Sequence, residues 1–91
     1  AEVPNVEMRT LDSFEFADVD FVKVDCEGYE LFALLGATDT LKRCRPAVIV
    51  EQKRDMAAKF GAQPQEACRL LESLGAVRRG EMSSDYIYSF D

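Results

Sequence analysis

Apolar positions along the chain fall into two kinds of run. Phe21 to Val24 (FVKV) and Ala47 to Val50 (AVIV) are short blocks, each closed by an acid, Asp25 and Glu51. Both predict strands, and the first, near-continuous but for one lysine, is expected to be buried on both faces. Between them the apolar residues move to helical spacing at Leu31, Leu34 and Leu35. This predicts a helix from about Gly28 to Leu35, stopped by a left-handed Gly36. Thr38 to Cys44 reads as a second helical piece, with Leu41 facing inward and Pro46 ending it, so helical structure fills about 28–43. Strand, helix, strand over about 30 residues is the βαβ unit, whose strands pair in parallel with a right-handed crossover.

The flanks complete an α/β pattern. Val3 to Met8, carrying Pro4, reads as extended chain. Thr10 or Asp12 caps a short helix through Phe14 and Phe16 that ends near Asp18. Gln52 to Gly61 is polar and reads as a loop. Pro64 suits the first position of a helix over about 64–74, with Ala67, Leu70, Leu71 and Leu74 as its buried stripe and Gly75 as its stop. Ala76 to Arg79 and Asp85 to Phe90, joined by Gly80 to Ser84, predict an antiparallel hairpin. Its stripe of Tyr86, Tyr88 and Phe90 is assigned to the core rather than to a platform for bases. The expected fold is thus parallel strands 21–25 and 47–51 plus the hairpin 76–79/85–90, in a single domain spanning 1–91.

The two acid-closed strands carry a chemical consequence. Paired in register, their carboxyl ends sit side by side about 4.8 Å apart, which brings Asp25 and Glu51 within about 5–8 Å. Glu27 joins them from the helix start. Carboxylates so close repel, so a cation, a shared proton or Lys23 belongs between them. Lys23 lies on the same strand face as Asp25 and, if buried, needs a carboxylate partner; the alternative is that this face meets solvent. One acid would do no more than favour a helix N-terminus. Three at one rim, where open α/β sheets bind ligands, read as a site.

Charge and residue usage narrow the chemistry. The net charge is −6, from 17 acidic and 11 basic residues. The basic residues are scattered, densest at Lys42, Arg43 and Arg45, which argues against a nucleic-acid partner. No apolar run nears the roughly 18–20 residues of a membrane span, and no signal-peptide pattern opens the chain. A cytoplasmic protein without a membrane partner is expected. The chain opens on Ala1 rather than methionine, and so reads as processed or cut from something longer. Cys26, Cys44 and Cys68 match no zinc or redox spacing and read as free thiols, Cys26 as a small buried apolar residue. Histidine is absent. That removes Ser-His and Cys-His nucleophile pairs and histidine metal sites.

The ordered set TLDSF (Thr10 to Phe14), VDFVKVDCEGYE (Val19 to Glu30), LLGATDTLKR, RPAVIVEQ and LLESLGA resembles the FkbM family of methyltransferases. Its most specific part is the K-hydrophobic-D-x-E-G-x-E run, Lys23 to Glu30, followed by the acid-terminated strand at Glu51. The resemblance implies a class I, Rossmann-like, S-adenosylmethionine-dependent enzyme with a seven-stranded sheet, methylating sugar- or polyketide-type hydroxyls. It makes the strand at 21–25 the fourth, the strand at 47–51 the fifth, and the hairpin the sixth and seventh. Asp25 and Glu51 are then the catalytic pair, with Asp25 also facing the cofactor's methionine end, and Glu27, Lys23 and Tyr29 line the acceptor. Magnesium held by the acids is a second mechanism.

The resemblance also implies something missing. The glycine-rich first turn and the ribose-holding acid have no counterpart, and no G-x-G occurs. The chain is therefore expected to be the C-terminal half of a methyltransferase domain, lacking the cofactor-binding N-terminal half. Alone it is expected neither to bind the cofactor strongly nor to turn over. Its fourth strand, stripped of a neighbour, is expected to form a homo-oligomer through the open edge or to be covered by the N-terminal segment. The competing reading is a non-catalytic α/β binding or assembly module, with the acids serving helix caps and solubility.

Overall fold

Four strands form one mixed sheet in the computed structural model, which describes residues 8–53, 56–63 and 65–91. They are β1 (Phe21–Val24), β2 (Ala47–Glu51), β3 (Val77–Met82) and β4 (Asp85–Ser89), in the order β1-β2-β4-β3. Parallel pairing of β1 and β2 sets Phe21 opposite Ala47 and Val24 opposite Val50. β4 runs antiparallel to both β2 and β3, with Val48 opposite Tyr88. Two helices, α1 (Glu30–Leu35) and α2 (Thr38–Cys44), connect β1 to β2, completing the βαβ unit; α3 (Glu66–Ser73) leads into the hairpin. No helix among the described residues is long and apolar enough to cross a membrane.

Alternation along the strands explains where the core lies. Val24, Val48, Val50, Tyr86 and Tyr88 share one sheet face and are buried there with Leu34, Leu41, Ala67, Cys68 and Leu71 from the helices. The aromatic stripe is core, as expected. The opposite face carries Phe21, Lys23, Ala47, Ile49 and Ile87, all exposed or half-buried. This corrects the expectation that β1 is buried on both faces: Phe21 keeps 56% of its surface. Lys23 is exposed and makes no ion pair with any described residue, so no buried partner was required.

Several boundaries move for local reasons. The first helical segment is a single 3-10 turn, Leu11–Phe14, capped by the Thr10 side chain, which accepts from the Ser13 N–H. It ends at a left-handed Glu15, so Phe16 lies beyond it, stacked on Phe14. Asp12 caps a different helix. Its Oδ1 accepts from the Thr40 N–H and hydroxyl, each at 2.8 Å, and its Oδ2 from the Asp39 N–H at 3.1 Å. Gly36 is not left-handed (φ −78°); a Cβ there would lie 2.9 Å from the Thr10 methyl, and the chain runs on into α2. The hairpin connection is only Ser83 and Ser84, and Gly80 sits within β3, where the register shifts between Arg78 and Gly80. Helix α3 carries Ala67 and Leu71 inward. Pro64, the extended chain before Met8 and the N-terminal cover lie outside the described residues.

Candidate functional site

Parallel register places the exit of β1 beside the exit of β2, so Asp25 follows Val24 just where Glu51 follows Val50. One carboxylate oxygen each from Asp25, Glu51 and Glu30 lie within 4.8 Å of one another. Three acids do converge, yet the third is Glu30 and not Glu27. The turn after Asp25 explains the substitution. Glu27 (φ 52°) and Gly28 (φ 105°) are both left-handed, which delays the helix until Glu30. The Glu27 side chain swings outward and stays 67% exposed. Glu30 turns inward and is 1% exposed, accepting from the N–H groups of Cys26 (2.8 Å) and Gly28 (3.1 Å) and from Gln52 Nε2 (3.4 Å).

A second segment closes over this turn. A Cβ on Gly28 would stand 2.1 Å from the Met56 carbonyl oxygen, so the 3-10 turn Ala57–Phe60 packs on backbone that only glycine leaves open. Phe60 thereby meets Tyr29 edge-on at 5.1 Å, and Tyr29 leans on Phe32 at the same separation. Tyr29 and Phe60 keep 41% and 46% of their surface, so the acidic rim is bordered by two accessible rings.

The cation at the rim is Lys53, not Lys23. Its Nζ lies 3.6 Å from Glu51 and 4.0 Å from Glu27, bridging the two from the solvent side. The charge of Glu27, then that of Glu51, holds the Lys53 ammonium above its ordinary range. Burial pushes the Glu51 carboxyl up; a hydrogen bond with Asp25 and the Asp25 charge push it further, and Lys53 pulls part of the way back. A proton shared between two acids is the expected resolution of their repulsion. The sequence signal for Lys53 was available, since it lies two residues beyond Glu51 and so on the same side of the extended chain. Glu30 had no such signal, because its inward turn depends on two left-handed residues.

Cys26 is exposed, correcting its assignment as a buried apolar residue. Partial burial and then the Glu30 charge raise its thiol, which keeps it protonated and a poor nucleophile. Asp25, Glu30 and Glu51 each offer an oxygen that a metal ion could take, though magnesium would meet competitors already in place. Its near-octahedral oxygen shell would compete for Glu30 oxygens already taken by two N–H groups and an amide, while an ammonium stands beside Glu51. What remains is a partly desolvated pair of carboxylates able to take up a proton, next to aromatic surface, at the carboxyl end of parallel strands.

The model of the FkbM methyltransferase domain matches residues 1–77 of the chain. No curated protein and no solved structure matches it. The chain belongs to the FkbM methyltransferase family.

Proposed function

We propose that this chain is the acceptor side of an S-adenosylmethionine-dependent O-methyltransferase with a class I, Rossmann-like sheet, acting on a sugar- or polyketide-type hydroxyl. Family membership supports methyl transfer; the Asp25–Glu51 pair at the ends of β1 and β2 supports a role in handling the acceptor's proton. Among the described residues no strand pairs with the outer edge of β1 and nothing covers one sheet face, which supports the view that a further, cofactor-binding half completes the domain.

The donor set suits one end of the cofactor. Carboxylates at Asp25 and Glu51, with the Tyr29 and Phe60 rings, match a sulfonium cation through charge and cation–π attraction. When bound, the cofactor supplies an electrophilic methyl group. The chain's own residues position the acceptor and manage its proton. Glu51, whose carboxyl is raised, takes the hydroxyl proton. Asp25 orients the hydroxyl, Tyr29 borders the acceptor, and Glu27 flanks the mouth with Lys53, which holds the place expected of Lys23. A positioned base of this kind contributes about 10²–10⁴-fold.

The test is methyl transfer from radiolabelled S-adenosylmethionine to a panel of hydroxyl acceptors by the protein joined to its cofactor-binding half. Asp25→Asn and Glu51→Gln should each lower kcat by about 10²–10⁴-fold at saturating cofactor. Unchanged turnover in both variants would leave the acids to helix capping and solubility, and the non-catalytic module would replace the proposal.

A further inference from the structure

Glu30 is the first residue of α1 and is almost wholly buried. A carboxylate in that position is costly unless its oxygens are satisfied. Here they accept from Cys26 N–H at 2.8 Å and from Gly28 N–H at 3.1 and 3.2 Å, donors that a left-handed turn leaves without helical partners. Bonds from an N–H to an ionised acceptor are about twice as strong as neutral ones. Gln52 adds a second tier. Its Nε2 donates to Glu30 Oε1 at 3.4 Å and to the Glu51 carbonyl at 3.3 Å, and its Oε1 accepts from the Ala67 N–H in the first turn of α3. Two buried side chains therefore join the exit of β1, the exit of β2 and the start of α3.

We infer that Glu30 is a positioning residue for the acid pair: its buried carboxylate, steadied by Gln52, pins the Asp25–Tyr29 turn so that Asp25 faces Glu51. The geometry stands by itself, while its meaning for methyl transfer rests on the reading of Asp25 and Glu51 given above. Reach and charge separate this role from a purely electrostatic one. Aspartate keeps the charge but is shorter by about 1.5 Å, one carbon–carbon bond, and cannot span to both N–H groups. If Glu30 acted only through its charge, aspartate would serve equally well.

The experiment is carbon-detected titration of the Glu51 carboxyl, with amide hydrogen exchange, on the 91-residue chain and its variants. In the wild type, the Cys26 and Gly28 amides should be protected by about 100-fold or more over unstructured chain. In Glu30→Asp that protection should fall at least about tenfold, and the Glu51 midpoint should drop toward its ordinary value. Asp25→Asn should then lower the midpoint in the wild type but add nothing in the Glu30→Asp background. Gln52→Met, a milder change, should move both readouts in the same direction by less. Wild-type Cys26 and Gly28 amides that exchange as freely as unstructured ones would overturn the inference. So would a folded Glu30→Asp or Gln52→Met variant with an unmoved Glu51 midpoint. If Glu30→Asp does not fold, wild-type exchange and Gln52→Met decide. None of these readouts needs cofactor or turnover, so failure here with Asp25→Asn still abolishing methyl transfer would leave the proposed function standing, and the converse would leave the clamp.

Discussion

Replacing Gly28 with alanine puts the construction of the rim to a quantitative test. Two costs add. At φ +105° a side chain pays the left-handed penalty, about 1–2 kcal/mol. The new Cβ would also stand 2.1 Å from the Met56 carbonyl oxygen and 2.6 Å from its carbon. These are backbone atoms that no rotamer change can move. Regaining ordinary contact at 3.4 Å requires the Met56–Phe60 turn to retreat by about 1.3 Å, the difference between 3.4 and 2.1 Å. Overpacking of this kind costs about 1–3 kcal/mol, so Gly28→Ala should destabilise by about 2–5 kcal/mol in all. Against a typical total of about 5–15 kcal/mol that is a large share. Gly75→Ala is the control, because Gly75 has φ +101° and a Cβ added there would meet nothing within 4 Å. It should cost only the backbone penalty, about 1–2 kcal/mol. Urea unfolding of both variants isolates the clash as the difference between them. Equal midpoint shifts for Gly28→Ala and Gly75→Ala would refute the packing of the 56–60 turn on the acidic loop.

Three further outcomes follow from the same geometry. Glu51 is held above its ordinary value of 4.5, first by burial and then by Asp25, so the fold favours its protonated form. Its stabilising contribution is complete below that ordinary value and is lost as pH rises through the folded one. Denaturant midpoints of Glu51→Gln should therefore fall less than those of the wild type between mildly acidic and neutral pH, and parallel declines would count against the coupling. Asp12 behaves oppositely: burial raises it, but hydrogen bonds from Thr40 and Asp39 and the Arg43 charge outweigh burial and hold it low. Its contribution is present above the ordinary aspartate value and lost as pH falls through the folded one. Asp12→Ala should thus cost about 0.5–2 kcal/mol at neutral pH, the usual worth of a cap, and much less in strong acid. Finally, the edge of β1 that has no strand partner among the described residues should pair with a second copy, so sedimentation at rising concentration should show a dimer. A 10.2 kDa monomer at every concentration would refute that expectation.

What could be read from the residues was whatever depends on neighbours along the chain. Apolar blocks closed by acids predict two parallel strands with adjacent tips, and Asp25 and Glu51 meet as that pattern requires. Periodicity likewise places Leu34, Leu41, Ala67 and Leu71 in the core. The misreadings concern cover and turn geometry. FVKV resembles a strand buried on both faces, but whether Lys23 is buried depends on what lies across the sheet, which no local pattern encodes. Glu27 and Glu30 both suit the rim by spacing. Two successive left-handed residues decide between them, and only Gly28 advertises such a conformation. Asp12 was legible as a cap, though not that the helix it caps lies 27 residues further on.

Placement and tuning of the acid pair therefore have separate sources. Placement comes from within: strand register brings the two tips together, Glu30 and Gln52 tie the turns, and Gly28 admits the segment that carries Phe60. Tuning depends on desolvation, the first cause of the rise at Glu51, whose side chain is 13% exposed. Asp25 lies on the exposed side of the pair. Any surface that closes over the open sheet face and the Asp25 tip would disfavour a second negative charge there and drive the pair toward holding its proton at higher pH. A carboxylate becomes a stronger base as it is dried, so the same covering that shields an acceptor from water would also raise the pair toward the working range of a general base. The geometry of a base is thus built into these residues, while its strength is set by whatever covers them.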